Sequence, residues 1–153
     1  MPATRRNGAE APVYSDDRLA LTLIDRYGID LRYVDAWKQW LLWDGTRWRA
    51  DTTLAIFDMA RRLCRAVLES NPMLGAAGVN ALTDAATFAA VERVARSDRR
   101  VAATADLWDV DTWLFNTPAG TVDLRTGTMR EHRRQDCITK SPYPANAGIA
   151  TAG

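Results

Sequence analysis

Residues 112–132 constrain the fold most, because three short strand-like runs lie there between turn residues. The runs read WLFN, TVDL and TMREH, and Pro118, Gly120 and the Arg125-Thr126-Gly127 segment separate them. Such runs joined by glycine-containing turns predict antiparallel strands, and Gly127 suits a loop position with positive φ. The sequence therefore predicts a β-meander in the carboxyl-terminal part of the chain.

A hairpin is predicted earlier, where Asp44-Gly45 separates two strand-like runs. With a two-residue loop, Trp43 faces Thr46 and the pairing continues to Trp40 opposite Arg49. One predicted face, suited to burial, consists of Leu41, Trp43 and Trp48. The other face consists of Trp40, Leu42, Arg47 and Arg49, where an arginine can lie over an indole ring.

The remaining periodicity predicts helices. Ser15 is expected to cap a first helix that Gly28 ends, and Leu31–Val34 is a short extended segment. Asp51 or Thr52 is expected to cap a second helix, which Asn71-Pro72 ends. Its apolar stripe has helical spacing and consists of Leu54, Phe57, Ala60, Leu63, Cys64, Val67 and Leu68.

After a predicted loop at Gly75–Gly78, a further amphipathic helix is expected from Thr83 to Ser97. The predicted order is an amino-terminal helix, a β-hairpin, two amphipathic helices and a β-meander, which is typical of the α+β class. A chain of 153 residues suffices for one ordinary core, so one domain is predicted over residues 15–140. Residues 1–14 and 141–153 lack periodicity and are expected to form flexible tails.

The sequence lacks the common motifs of nucleotide hydrolysis and zinc binding. Neither Lys38 nor Lys140 follows a glycine, so there is no P-loop. One histidine and two distant cysteines argue against a Cys/His zinc site and a disulfide framework. Asp109 and Asp111 alternate like the ligands of a two-metal site, although turn hydrogen bonds are the favoured interpretation. We therefore expect no catalytic residue, metal or cofactor in this chain.

Any nucleic-acid site must be a local surface, because 20 basic residues nearly balance 19 acidic ones and leave a net charge of +1. Exposed aromatic rings can stack on single-stranded bases while arginines attract the backbone. Trp40 beside Arg47 and Arg49 is the predicted surface of this kind. The other five tryptophans are expected to pack in the core.

Two motifs in order carry a family resemblance. They are WLLWDGTRWRAD, which begins at Trp40, and NTPAGTVDLRTG at Asn116–Gly127, followed by ITK at Ile138–Lys140. The chain resembles the helper domain that precedes the helicase ATPase in phage and plasmid primase-helicases, the poxvirus-primase-like, superfamily-three group. The resemblance implies a non-catalytic replication module and adds Arg125 to the candidates for contact with single-stranded DNA.

The partners implied are single-stranded DNA, the helicase ATPase, other replication proteins and further copies of the chain. Two alternatives stay open: a docking domain with no affinity for DNA, and an inactive fragment of a larger replication protein. No apolar run approaches the roughly 20 residues that span a bilayer, and the amino terminus lacks the apolar segment of a signal peptide. A cytoplasmic protein without a membrane partner is expected.

Overall fold

The computed structural model describes residues 14–140, so the predicted tails lie outside the described residues apart from Tyr14. The described chain forms two compact units. The helical unit comprises Leu54–Arg100 and the described residues up to Gly28, and the sheet unit comprises Ile29–Thr53 and the described residues from Val101 onward. Helices and two sheets are both present, so the predicted α+β class is confirmed.

The first helix, α1, spans Asp16–Tyr27 as predicted. The Ser15 side chain caps it by accepting a hydrogen bond from the Arg18 amide at 3.2 Å. Two aspartates in its first turn complement the positive end of the helix dipole. Its buried residues, Leu19, Ala20, Leu23 and Ile24, recur at helical spacing and form one face toward the core of the helical unit.

The second helix, α2, spans Ala55–Ser70 and begins later than predicted. Asp51 does not cap it, because the Asp51 carboxylate accepts a hydrogen bond from the Thr53 amide in a local turn at 3.0 Å. Leu54, expected in the apolar stripe, is exposed at the N-cap with a φ of 58°. Ile56 is buried instead. The carboxyl end at Asn71 is as predicted.

The predicted loop at Gly75–Gly78 was wrong, because a third helix, α3, spans Ala76–Thr83. Its alanines are strong helix formers, and the two glycines do not prevent the helix. A fourth helix, α4, spans Ala85–Ala95, and the Asp84 carboxylate caps it by accepting from the Ala86 amide at 2.8 Å. As expected, α4 buries Phe88, Val91 and Ala95.

The first sheet of the sheet unit has the order β3-β2-β1-β4. Its strands are β1 at Leu31–Val34, β2 at Gln39–Trp43, β3 at Trp48–Ala50 and β4 at Ala102–Ala103. The first three pair antiparallel, and the two-residue β4 pairs parallel with β1. Sequence reasoning missed β4, since two alanines give no strand signal.

The predicted hairpin exists, but its register was wrong. Trp43 pairs with Trp48 and Leu42 with Arg49, so the loop has four residues, Asp44–Arg47. The Asp44 carboxylate closes this loop by accepting from the amides of Thr46 and Arg47 at 2.8 and 2.9 Å. The observed register differs from the predicted one by two residues, so each strand residue keeps its predicted face of the sheet. Arg47, however, lies in the loop and not in the paired strand.

The second sheet is the predicted meander, with order β5-β6-β7. Its strands are β5 at Leu114–Thr117, β6 at Gly120–Asp123 and β7 at Thr128–Arg130. All pairs are antiparallel, and Gly127 has the expected positive φ, 69°. Gly120 is needed for another reason: a Cβ there would lie 2.4 Å from the Arg130 carbonyl oxygen on β7.

The core of the sheet unit consists of Val34, Leu41, Trp48 and Trp108. The rings of Trp48 and Trp108 meet edge to face with their centroids 5.7 Å apart. Trp37 and Trp113 were expected in the core but are about half exposed. None of the helices within residues 14–140 is long and apolar enough to cross a bilayer.

Candidate functional site

Trp40 cannot stack on a base in this structure, because its side chain is only 6% exposed. Its ring packs against Tyr33 on the neighbouring strand, with centroids 5.1 Å apart. The prediction treated its face of the hairpin as open. β2 instead lies between β3 and β1, inside the sheet.

The two hairpin arginines differ in their surroundings. Arg47 lies in the loop, is partly buried, and donates a hydrogen bond from Nη1 to the Thr139 carbonyl oxygen at 3.0 Å. Arg49 lies on the edge strand β3, and its side chain is exposed. Arg49 makes no ion pair with any residue between 14 and 140. Arg49 is therefore the hairpin cation best placed to meet a ligand.

Arg125 lies in the meander turn between β6 and β7, where two carboxylates hold it. Its Nε contacts Asp123 at 2.9 Å and its Nη2 contacts Asp111 at 3.0 Å. The hydrogen bond that Arg125 donates to Asp123, together with the charge of both aspartates, raises the pKa of Arg125. Asp111 and Asp123 thus compensate the charge of Arg125, and the four predicted residues do not form one continuous basic surface.

The two motifs of the sequence meet in the sheet unit. The Asn116 amide nitrogen, from the second motif, donates to the Thr46 carbonyl oxygen of the hairpin loop at 2.8 Å. The Trp48 amide donates to the Ile138 carbonyl oxygen at 2.9 Å. The Asp109 carboxylate accepts hydrogen bonds from both the amide and the hydroxyl of Thr139. Segments distant in sequence are therefore bonded directly to one another.

Asn116 also begins a buried polar network. Its carbonyl oxygen accepts from the Thr121 hydroxyl at 2.8 Å, and Thr121 Oγ1 lies 3.2 Å from Nδ1 of His132. His132 lies two residues beyond the end of β7. The network shows that motif residues hold the meander and the hairpin loop together.

Asp109 and Asp111 line a cleft of about 290 Å³ along the edge strand β5. Asp109 is engaged by Thr139, and Asp111 accepts from the Trp113 amide at 3.1 Å and pairs with Arg125. The Asp111 contact is a local turn hydrogen bond of the predicted kind, whereas Asp109 bonds to Thr139, 30 residues away in sequence. Within the described part of the chain, no group of three or more His, Cys, Asp or Glu side chains could hold a metal ion.

Comparison with known protein families identifies the family of this chain. Residues 20–145 match the family described as D5 N terminal like. The chain belongs to this family. Its members are the N-terminal domains of D5-like primase-helicases of phage, plasmid and poxvirus type, so the predicted family and its association with replication are confirmed. A comparison with curated proteins found no match.

The D5 N terminal like domain also presents an apolar surface that sequence reasoning did not identify. Pairing aligns Phe115 with Val122 and Met129, and the Leu124 amide donates to the Trp113 carbonyl oxygen. Strand alternation puts Phe115, Val122 and Met129 on one face of the meander, and Trp113 and Leu124 continue the same pairing just beyond the strand ends; we call these five residues the meander strip. Trp113, Phe115, Leu124 and Met129 are each 47–58% exposed, while Val122 is partly buried.

The alternation within WLFN was the available signal for the meander strip. It separates Trp113 and Phe115 from Leu114 and Asn116. What the pattern could not show is which face meets the core. The face that carries Asn116 meets the core, because Asn116 and Thr121 are buried there.

Proposed function

We propose that this D5 N terminal like domain is a non-catalytic accessory module that helps assemble a replication primase-helicase. It works by docking the meander strip against the same strip of a second copy of the domain. The single observation that carries the proposal is this contiguous exposed apolar face. Apolar patches of this kind on otherwise polar surfaces mark sites of protein association.

The charges around the strip support an apolar partner. Two cations adjoin strip residues in sequence and both are already paired, Arg125 with Asp111 and Asp123 and Arg130 with Asp136. Two copies can therefore approach through this face without bringing unpaired Arg125 charges together. A second copy is the natural occupant because an apolar strip can pair with the same strip of another copy about a two-fold axis, the commonest symmetry of soluble oligomers.

The size of the strip predicts a weak contact. Five apolar side chains that are about half exposed offer on the order of 400 Å² per copy, about half of what a stable interface buries on each partner. The isolated domain should therefore associate reversibly at high micromolar concentration. In a complete primase-helicase, contacts from other domains would add to this one.

Analytical ultracentrifugation tests the proposal. The average mass of the chain should rise above 17.0 kDa as its concentration increases. Phe115→Ser combined with Met129→Ser should abolish the rise, since it removes apolar contact while leaving the strands paired. Met73→Ser is the matched control, because Met73 is 95% exposed and lies in the helical unit. A constant mass for the unmodified chain, or equal association of the double variant, contradicts the proposal.

A second candidate function is contact with single-stranded DNA, and the exposure of Arg49 favours it. Trp40 has no part in it because its ring is buried. Binding of labelled single-stranded DNA, followed by anisotropy, should weaken steeply between low and near-physiological salt. Arg47→Ala with Arg49→Ala should reduce the affinity, and an unchanged affinity in this variant would exclude the hairpin as the contact surface.

A further inference from the structure

A groove in the helical unit lies between α1 and α2 and has a volume of about 280 Å³. Arg18, Thr22 and Arg26 line it from α1, and Ser70 and Asn71 line it at the carboxyl end of α2. Intervals of four residues place the three α1 side chains on one face of that helix. Neither motif of the sequence includes this surface.

The two groove arginines carry charge that the described residues do not neutralise. Arg18 and Arg26 are both exposed, and neither makes an ion pair with a residue of the described chain. No carboxylate lines the groove. The neighbouring Asp25 is paired with Arg100 at 2.5 Å. The groove is thus a local site of positive charge on a chain whose total charge is only +1.

The positive charge of the groove favours an anion, and Ala66 and Val67 add apolar side chains to its lining. The leucines at the bottom, Leu19 and Leu63, are buried and offer almost no apolar surface. The two guanidinium groups are the main donors available to a ligand, because the hydroxyls of Thr22 and Ser70 and the Asn71 amide donate to the carbonyl oxygens of Arg18, Ala66 and Val67. Guanidinium groups bind phosphate oxygens in a bidentate manner.

We infer that this groove binds the phosphate backbone of single-stranded nucleic acid. Arg18 and Arg26 are eight residues apart, or about 12 Å along the helix axis at 1.5 Å per residue. That spacing suits different phosphates of one strand better than a single compact anion. The inference goes beyond docking through the meander strip, and it places contact with single-stranded nucleic acid on a surface of the helical unit and not on the hairpin.

The test is titration of a fluorescein-labelled oligothymidylate of about 20 nucleotides with the full chain, at several salt concentrations between about 50 and 200 mM. Arg18→Ala combined with Arg26→Ala should weaken binding at least tenfold at the lowest salt. It should also reduce the slope of log affinity against log salt by about 1.4, since each contact to a single strand contributes about 0.7. Both positions are exposed and helical, so alanine should leave the fold intact, which circular dichroism checks.

Arg93→Ala combined with Arg99→Ala is the matched control, because both arginines are exposed in the same unit and outside the groove. Equal weakening in the control would show that bulk charge alone drives binding, and would overturn the inference. So would unchanged binding of the groove variant, or equal affinity for a duplex of the same length.

Two competitors separate the sources of phosphate and the class of ligand. Full displacement by millimolar ATP or inorganic phosphate, with no dependence on oligonucleotide length, would mean that the groove takes single phosphate groups, against the inference. Stronger binding of an acidic peptide such as polyglutamate than of oligothymidylate would also overturn it. The Phe115→Ser and Met129→Ser variant should bind oligothymidylate normally. Self-association thus tests the meander strip, and oligothymidylate binding tests the groove.

Discussion

Replacing Asn116 with alanine should destabilise the domain by removing the bond between its two motifs. The Asn116 side chain makes two hydrogen bonds, to the Thr46 carbonyl oxygen and from the Thr121 hydroxyl, each 2.8 Å long. Thr46 is exposed, so water can replace the lost donor at a cost of about 1 kcal/mol. Thr121 is 1% exposed and loses its Asn116 acceptor in a buried site where Nδ1 of His132, at 3.2 Å, is the other partner, which costs about 1–2 kcal/mol.

The sum, about 2–3 kcal/mol, should lower Tm by about 5–10 °C for a chain of this size. Thermal unfolding followed by circular dichroism measures the effect. A double-mutant cycle with Thr121→Val isolates the shared bond, and we expect a coupling of about 1 kcal/mol between the two positions. Asn80→Ala is the matched control, because Asn80 is exposed in α3 and alanine is a better helix former there.

Two outcomes would refute this reasoning about Asn116. One is an Asn116→Ala variant as stable as the control. The other is strict additivity with Thr121→Val, since two residues that share a hydrogen bond should not contribute independently.

Two further predictions concern single positions. Gly120→Ala should lower the free energy of unfolding, measured by urea titration, by about 1–3 kcal/mol, because the added Cβ would lie 2.4 Å from the Arg130 carbonyl oxygen. Gly75→Ala is the control: no atom lies within 4 Å of its added Cβ, so it should lower the free energy of unfolding by less than about 1 kcal/mol. Burial, aided by Asp16, raises the pKa of Cys64 from 9.0 to about 11, so its thiolate fraction at pH 8 should be about 100-fold below that of an unperturbed thiol. Labelling of Cys64 by iodoacetamide as fast as in urea would contradict this. Since the fold favours the neutral thiol, this group should lower the free energy of unfolding only as pH rises from about 9 towards 11.

Local signals predicted much of this fold correctly. Ser15, with two aspartates after it, specifies the start of α1, and Gly127 specifies the last turn of the meander. In both cases a few neighbouring residues determine the backbone conformation. The apolar spacing of α4 likewise predicted its buried face at Phe88, Val91 and Ala95.

The errors arose where contacts beyond the local sequence pattern determine the structure. The Asp44 carboxylate binds two loop amides and lengthens the hairpin loop from two residues to four, which a rule for Asp-Gly turns does not anticipate. Trp40 was predicted on an open face, but its burial depends on β1 and on Tyr33. Arg125 forms ion pairs with Asp123, which is close in sequence, and with Asp111, which is fourteen residues away. Only folding brings Asp111 near Arg125.

The contacts of the motif residues explain why family membership alone does not locate function. Asn116, Trp48 and Thr139 are bonded to other motif segments, so their first task is to hold the sheet unit together. Phe115 is adjacent to Asn116 but points to the opposite face, where its side chain is half exposed. One strand therefore serves stability on one face and carries the proposed docking surface on the other.

This division makes a direct comparison possible between neighbouring positions. Phe115→Ser should leave Tm nearly unchanged and weaken self-association, because the side chain removed lies outside the buried network. Asn116→Ala should lower Tm, and any loss of association should disappear when the temperature is kept well below its unfolding transition. If Phe115→Ser lowers Tm as much as Asn116→Ala does, the meander strip contributes to the fold itself, and its assignment as a docking surface is wrong.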